Sequence, residues 1–335
     1  MKKIVFFLTL CFHCLSLRAQ DTQYSQFYAN ALYLSPAFAG AQQNTRGIVA
    51  TRYQWPSQAA SYISYTASFD HYFERYKSGV GLIVNSDVAT PAHLRTTEIG
   101  GQYAYQINLS KKVVFRPAVQ LSYVSKKIDY SKLTFGSQYT DDGFIGGKSG
   151  ESLLQNSVSY VDISSGGLLY SERYWVGFSA NHMNQPNQSF MAGTSRLPAK
   201  FSFFGGYTWS FTPAWRKRHV NPNEEKSISP TFLYKMQGKS DQLDIGLYGR
   251  YNTLVVGMWY RGVPLKVYKP EKVNNDALIF LVGIVYKEFT FGYSYDLTIS
   301  RLTAASGGSH EITASYSIKH KKKKTIMKML PCPKF

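Results

Sequence analysis

The side chains that most often carry out chemistry are scattered along this sequence. Seven histidines occur, and no two stand at the spacing of a metal-binding pair. They are His13, His71, His93, His182, His219, His310 and His320. The sequence contains no glycine-rich phosphate loop, no GxSxG nucleophile turn, no HExxH helix and no EF-hand loop. We therefore predict neither a metal site nor a cofactor.

The sequence contains candidate catalytic residues for one enzyme class, the hydrolases. His182, with Asn181 or Asn184 beside it, supplies a base and an orienting group, and a serine would complete the set. Nothing in the sequence brings a serine to these residues. We expect a protein that is not an enzyme, with a hydrolase as the alternative.

Positive charge is concentrated at the two ends of the chain. The 335 residues include 38 Lys and Arg against 20 Asp and Glu, which gives a formal net charge of +18. Three of the cations lie in residues 1–20 and seven in residues 319–335, and removing both stretches leaves +8. A basic protein often binds nucleic acid, but a chain with an export signal leaves the compartment where nucleic acid is found. We expect no nucleic-acid partner.

The beginning of the chain is typical of a secretory signal peptide, which we place at residues 1–19. Lys2 and Lys3 form the charged region, Ile4 to Leu17 the apolar region, and Ala19 is a small residue before the cleavage site. A lipoprotein is the alternative, but bulky residues precede both Cys11 and Cys14.

The exported chain must be stabilised without disulfides. Once the signal is removed, Cys332 is the sole cysteine, which excludes an intrachain disulfide and a multi-cysteine zinc site. No later stretch carries about 18 uncharged apolar residues, so the sequence predicts no transmembrane helix. A soluble secreted β-protein and a membrane β-barrel remain as the two possible classes of protein.

The hydrophobic pattern has a period of two over many segments, which predicts strands. In residues 97–109, Ile99, Tyr103 and Tyr105 share an apolar face, whereas Gln102 and Gln106 share a polar face. These segments are about ten residues long, as bilayer-crossing strands are, and short turns alternate with longer loops. We predict an all-β fold, a transmembrane antiparallel β-barrel of about fourteen strands over residues 45–318. A soluble aromatic-rich sandwich is the alternative.

The predicted strands are 45–55, 60–74, 77–87, 92–108, 111–125, 158–170, 172–182, 196–211, 228–236, 241–252, 253–261, 275–287, 288–296 and 309–318. The chain contains 26 Tyr, and such amphipathic rings collect where a bilayer meets water. We expect the following tyrosines at that boundary: Tyr72, Tyr76, Tyr103, Tyr105, Tyr170, Tyr174, Tyr286 and Tyr293.

Two segments flank the predicted barrel. Residues 20–44 mix apolar anchors with Asn, Ser and Pro, which indicates a packed irregular segment rather than a strand. Residues 319–335 form a basic tail with the run KHKKKK at 319–324. Because barrels of this type keep both termini in the periplasm, we expect the tail there, bound to anionic lipid, peptidoglycan or an acidic protein surface. A solvated mobile tail is the alternative.

Several stretches, in order along the chain, resemble the PorP/SprF family of outer-membrane proteins of the type IX secretion system of Bacteroidota. They are QYSQFYANALYLSPAFAG at 23–40, TRYQWPS at 51–57, NHMNQPNQSF at 181–190, YDLTISRL with GGSHEI at 295–312, and CPKF at 332–335. The resemblance implies a cell outer-membrane barrel that supports the export or surface anchoring of a partner protein.

The implied partners are the C-terminal domain of a type IX secreted protein or gliding adhesin, periplasmic components of the secretion machine, and outer-membrane lipids. We place residues 20–44 at or inside the periplasmic mouth. An outer-membrane channel or hydrophobic-solute transporter is the alternative function. The candidate partner-binding residues are Tyr24, Phe27, Tyr28, Tyr33, His182, Gln185, Lys321, Lys322, Lys323 and Lys324.

Overall fold

The chain folds into a closed antiparallel β-barrel of fourteen long strands. A computed structural model describes residues 21–90, 93–141, 143–146, 155–191, 193–211, 226–267, 273–300 and 306–318. The strands are β1 (Thr45–Gln54), β2 (Tyr62–Phe73), β3 (Ser78–Ala89), β4 (Leu94–Tyr105), β5 (Val114–Lys127), β6 (Ser157–Tyr170), β7 (Tyr174–Asn181), β8 (Lys200–Tyr207), β9 (Lys226–Gln237), β10 (Ser240–Tyr251), β11 (Leu254–Val267), β12 (Val273–Tyr286), β13 (Phe289–Thr298) and β14 (Ser309–Ile318).

Each strand pairs with its neighbour in sequence, and β1 also pairs with β14, from Thr45 opposite Ile318 to Gln54 opposite Ser309. This seam closes the sheet and leaves no free edge. Two-residue strands, Ile107–Asn108 and Trp209–Ser210, extend the same sheet. The predicted fold class is therefore confirmed.

Short helical turns make up the rest of the regular structure. They are α1 (Ala31–Leu34) and the 3₁₀ turns Pro36–Phe38, Glu74–Tyr76, Tyr130–Lys132 and Gly136–Gln138. A small hairpin pairs Tyr139–Thr140 with Gly143–Phe144. In the part of the chain that the structure describes, no helix is long and apolar enough to cross a membrane.

The two ends of the barrel differ in their connections. At the short-turn end, where β1 begins and β14 finishes, connections such as 74–77, 171–173, 252–253 and 287–288 are brief, and 208–225 is the exception. At the long-loop end, the connections include 55–61, 128–156, 182–199 and 299–308. Alternation of short turns and long loops is the usual pattern of outer-membrane barrels.

The barrel is apolar outside and polar inside. In β4, Ile99, Tyr103 and Tyr105 are exposed on the outer face, whereas Gln102 and Ala104 are buried against the lumen. The same alternation in β2 buries Ser64, Thr66, Ser68 and Asp70 and exposes Tyr65 and Phe69. An apolar outer band lets the wall contact hydrocarbon, and a polar inner face needs partners of its own.

Most of the tyrosines assigned to the membrane boundary lie on the outer face, among them Tyr76, Tyr105, Tyr174 and Tyr286. Two assignments are wrong. Tyr72 and Tyr170 are 6% and 0% exposed and face the lumen. In a strand, a shift of one residue reverses the face, and proximity to a strand end does not reveal which face a ring occupies.

Candidate functional site

Residues 21–44, which we call the plug, lie inside the lumen. Gly40 N donates to Asp70 Oδ2 at 2.8 Å near the short-turn end. At the other extreme, Asp21 contacts His182, which follows β7 at the long-loop end. The plug therefore spans the depth of the barrel, from the short-turn end to the long-loop end.

Local sequence gives the plug a compact, irregular path. Ser35 Oγ accepts a hydrogen bond from Ala37 N, and Pro36 occupies the first position of the 3₁₀ turn that follows. Both are favourable at a helix start. Gly40 has φ +65°, a conformation that glycine adopts without strain and that turns the chain toward β1.

Close packing holds the short-turn part of the plug. Ala37, Ala39 and Ala41 are fully buried. The backbone of Ala39 lies so close to Gly79 in β3 that a Cβ added to this glycine would stand 1.9 Å from the Ala39 carbonyl oxygen. Arg116 of β5 donates to the carbonyls of Ala37 and Ala39. Small residues on the plug thus let the wall bind its backbone directly.

An aromatic cluster fills the middle of the lumen. The ring of Tyr28 lies 5.8 Å from both Trp175 and Tyr248, and the ring of Phe27 lies 6.3 Å from Trp259. The hydroxyl of Tyr28 also donates to a carbonyl of β8 at 3.0 Å. Such edge-to-face contacts add to the free energy gained from burying the rings.

An ionic cluster surrounds Ser25. Its hydroxyl donates to Asp296 Oδ2 at 2.6 Å and accepts from Arg52 and Arg261, each at 2.8 Å. Arg52 also pairs with Glu311, and Arg261 pairs with Asp244. All these side chains are nearly inaccessible to solvent. Removing one of the charged members would leave a buried charge without compensation, and the Ser25 hydroxyl ties the plug to this cluster.

A different site holds the plug's outer end. His182 Nε2 lies 2.8 Å from Asp21 Oδ2, Lys200 Nζ lies 2.6 Å from the same oxygen, and Gln237 Nε2 donates to Oδ1 at 3.2 Å. On its other side, His182 Nδ1 lies 3.0 Å from Asp162 Oδ1. We call His182, Lys200 and Gln237 the carboxylate site.

Charge pairing governs protonation at the carboxylate site. Burial alone would raise the pKa of Asp21, but Lys200 and His182 outweigh it and hold that pKa well below the usual value. Burial alone would lower the pKa of His182, but Asp21 and Asp162 raise it to about 9. At neutral pH, the site is therefore a carboxylate bound by two cations and an amide.

A cavity of about 600 Å³ lies at the long-loop end of the lumen. Its lining includes Lys200 and Gln237 of the carboxylate site, the Asp21 that occupies this site, and Trp55 and Tyr62. A second cavity, of about 120 Å³, shares Asp21 and reaches His182 and Asp162. Asp21 and Lys200 thus border both cavities.

The family described as type IX secretion system membrane protein PorP/SprF matches residues 16–316. The chain belongs to this family. A secretion-system membrane protein folded as a closed barrel is an outer-membrane protein. No curated protein matches the chain significantly.

Solved barrels resemble the PorP/SprF chain loosely. The P. putida toluene transporter TodX has a TM-score of 0.48 and 11% identity, over 88% of this chain and 95% of that chain. Acinetobacter baumannii Omp33 has a TM-score of 0.43 and 8% identity, over 83% and 100%. A Pseudomonas aeruginosa FadL homologue has a TM-score of 0.42 and 10% identity, over 86% and 94%.

The structure places the candidate residues of this PorP/SprF barrel in three settings. Tyr24, Phe27 and Tyr28 are buried in the plug, and Tyr33, half-buried, donates to the carbonyl of Thr22 at 2.6 Å. His182 belongs to the carboxylate site, while Gln185, three residues later, is exposed in the 182–199 loop. Lys321, Lys322, Lys323 and Lys324 lie outside the described residues.

Contacts around His182 do not form a hydrolase site. Both ring nitrogens face carboxylates, and Asn184 donates to the carbonyl of Val161 at 2.7 Å. Among the described residues, no three His, Cys, Asp or Glu side chains are placed to hold a metal ion.

Sequence reasoning missed Ser25, Arg52, Arg261, Asp296, Glu311 and Lys200. The available signal was charge on the polar face of predicted strands, since an ion facing the lumen of a barrel needs a counterion there.

Proposed function

We propose that this barrel is a non-enzymatic component of the type IX secretion system that supports the export or surface anchoring of a partner protein by binding its C-terminal domain. One candidate partner is a gliding adhesin. The observation that carries the proposal is the filled lumen: the plug is bonded to strands all around the wall. A filled lumen leaves the loops and the two ends as the surfaces on which a large protein can bind.

The two ends would serve different partners. The 182–199 loop projects exposed side chains at the long-loop end, including Gln185 and Met191, and would contact the exported domain. The basic tail follows β14 in the sequence and would bind periplasmic machine components or anionic lipid. The apolar outer band would contact outer-membrane lipids.

Site-specific crosslinking in cells tests this proposal. A photo-crosslinking residue at Gln185 should capture the exported partner through its C-terminal domain, as identified by mass spectrometry. The same residue at Arg173, exposed in a turn at the opposite end, is the matched control. Equal adducts at both positions, or export of the partner without any adduct at Gln185, would contradict the proposal.

A channel for small or hydrophobic solutes is the second candidate, favoured by the cavity of about 600 Å³. Conductance in planar bilayers separates the two functions. The intact barrel should be closed, whereas a variant lacking residues 21–40 should conduct because the polar lumen then fills with water. Steady conductance of the intact protein would favour the channel.

A further inference from the structure

The carboxylate site is built entirely by the wall. His182 follows β7, Lys200 begins β8 and Gln237 ends β9, so three adjacent elements converge on one carboxylate. Both oxygens of Asp21 are bound, Oδ2 by the two cations and Oδ1 by the amide. Asp162 Oδ1 lies 3.0 Å from the other ring nitrogen of His182.

The occupant of this site differs from the rest of the plug. Asp21 is the only ionisable carboxylate in residues 21–44, and the plug contains no Lys, Arg or His. Its side chain is 19% exposed, whereas Ser25 is fully buried. The wall therefore offers a strong anion site to one residue at the accessible end of an otherwise uncharged segment.

We propose that His182, Lys200 and Gln237 form a receptor for a carboxylate of an acidic peptide, and that Asp21 is its resident competitor. The incoming carboxylate displaces Asp21 and takes over the same donors. The proposal goes beyond the secretion role, because the site would bind a carboxylate whichever protein supplies it.

The adjoining cavity suits a peptide. Its volume of about 600 Å³ lies within the ordinary range of ligand sites. Gln54, Gln242 and Asn275 line it and can donate to and accept from peptide groups, while Trp55 and Tyr62 offer ring faces to side chains. Lys235 adds a further cation to the lining.

The donor set favours a carboxylate over a phosphate. Phosphate sites commonly present an arginine fork or a run of backbone N–H groups, and the Asp21 carboxylate has neither among its bonds. Two oxygens are bound from two directions, which matches the two-oxygen geometry of a carboxylate.

Competition with Asp21 gives the test. The probes are a fluorescein-labelled tetrapeptide that carries one aspartate and the same peptide with asparagine, each titrated by fluorescence anisotropy against the purified full barrel. Asp21→Asn removes the resident charge, so the aspartate peptide should bind this variant about tenfold more tightly than wild type. Adding Lys200→Gln should reverse the gain, whereas Lys239→Gln, an exposed turn lysine at the same end, should not.

Several results would overturn the proposal: equal binding of the two peptides to Asp21→Asn, no gain over wild type, or inorganic phosphate competing as well as acetate.

A second readout does not require Asp21→Asn to fold. In a Cys332→Ser background, the aspartate peptide should speed maleimide labelling of Thr22→Cys about threefold, and the asparagine peptide should not. Equal labelling with both peptides would also contradict the proposal. Because neither measurement involves an exported partner, either can fail while the crosslinking at Gln185 succeeds.

Discussion

The inner and outer parts of the plug are held by different chemistry. Residues 24–44 are bound through buried groups: close backbone packing at Gly79, the aromatic cluster, and the ionic cluster around Ser25. Residues 21–23 are partly exposed and border the cavities at the long-loop end. The outer part is anchored by the charge pairs of Asp21.

Because of this difference, the inner part of the plug should stay bound, whereas the outer part can exchange its partners. Buried polar groups lose their hydrogen bonds only if water or new partners reach them, which requires the barrel to open. Partly exposed ion pairs can be replaced one at a time by a competing ion or by water. We therefore expect the inner plug to stay in place while the outer end responds to ligands and pH.

The largest expected effect comes from Arg261→Met, which breaks the ionic cluster. Asp244 loses its ion pair and Asp296 loses one of two, so the free energy of unfolding should fall by about 3 to 5 kcal/mol. Urea unfolding in lipid micelles, followed by tryptophan fluorescence, measures this change. Arg173→Met in an exposed turn is the control and should be nearly neutral. A loss as small as that of the control would mean that the inner plug is no more firmly held than the outer end.

Gly79→Ala tests the close packing near the short-turn end. Its Cβ would stand 1.9 Å from the Ala39 carbonyl oxygen, so backbone must move and unfolding should become easier by about 3 kcal/mol. Gly101→Ala in β4 meets no atom within 4 Å and serves as the matched control. If both variants unfold at the same urea concentration, the plug does not pack against β3 as described.

High pH should loosen only the outer end. The groups facing His182 are Asp21, Asp162 and Lys200. Burial and the Lys200 cation would lower the pKa of His182, but the two carboxylates outweigh them and raise it from 6.5 to about 9. The raised pKa favours the folded state fully below pH 6.5, and this contribution is lost as pH rises through about 9. The effect should be the smallest of the three, since Lys200 and Gln237 still bind Asp21.

Cysteine labelling measures the pH effect. In a Cys332→Ser background, labelling of Thr22→Cys should rise between pH 7 and pH 10 relative to Lys239→Cys, an exposed control that corrects for thiolate formation. Near-ultraviolet circular dichroism of the aromatic cluster should stay constant. A dichroism change parallel to the labelling would show that the two parts of the plug move together.

Strands and their faces could be predicted from the sequence because both are local. The alternation in residues 97–109 predicts opposite faces for Gln102 and Ile99, and the structure places Gln102 in the lumen and Ile99 on the outer face. Tyr72 and Tyr170 were misplaced because their assignment used distance from a strand end and ignored the period. Where the pattern was followed residue by residue, it was reliable.

The carboxylate site and the ionic cluster could not be predicted, because their members lie far apart in sequence. Asp21 and His182 are 161 residues apart, and Ser25 and Asp296 are 271 apart. A single sequence shows which positions face the lumen, but it does not show how far along the barrel axis each of them lies. Strand stagger determines which luminal charges meet, and stagger depends on the whole barrel.

The contacts of the plug with the wall also bear on how the barrel stays closed. The plug leads directly into β1, and β1 closes the sheet against β14. Bonds from the plug reach β2, β5 and β7 as well as β13 and β14. Residues 21–44 therefore link strands on both sides of the seam, so the contacts that hold the plug in place also hold the barrel closed.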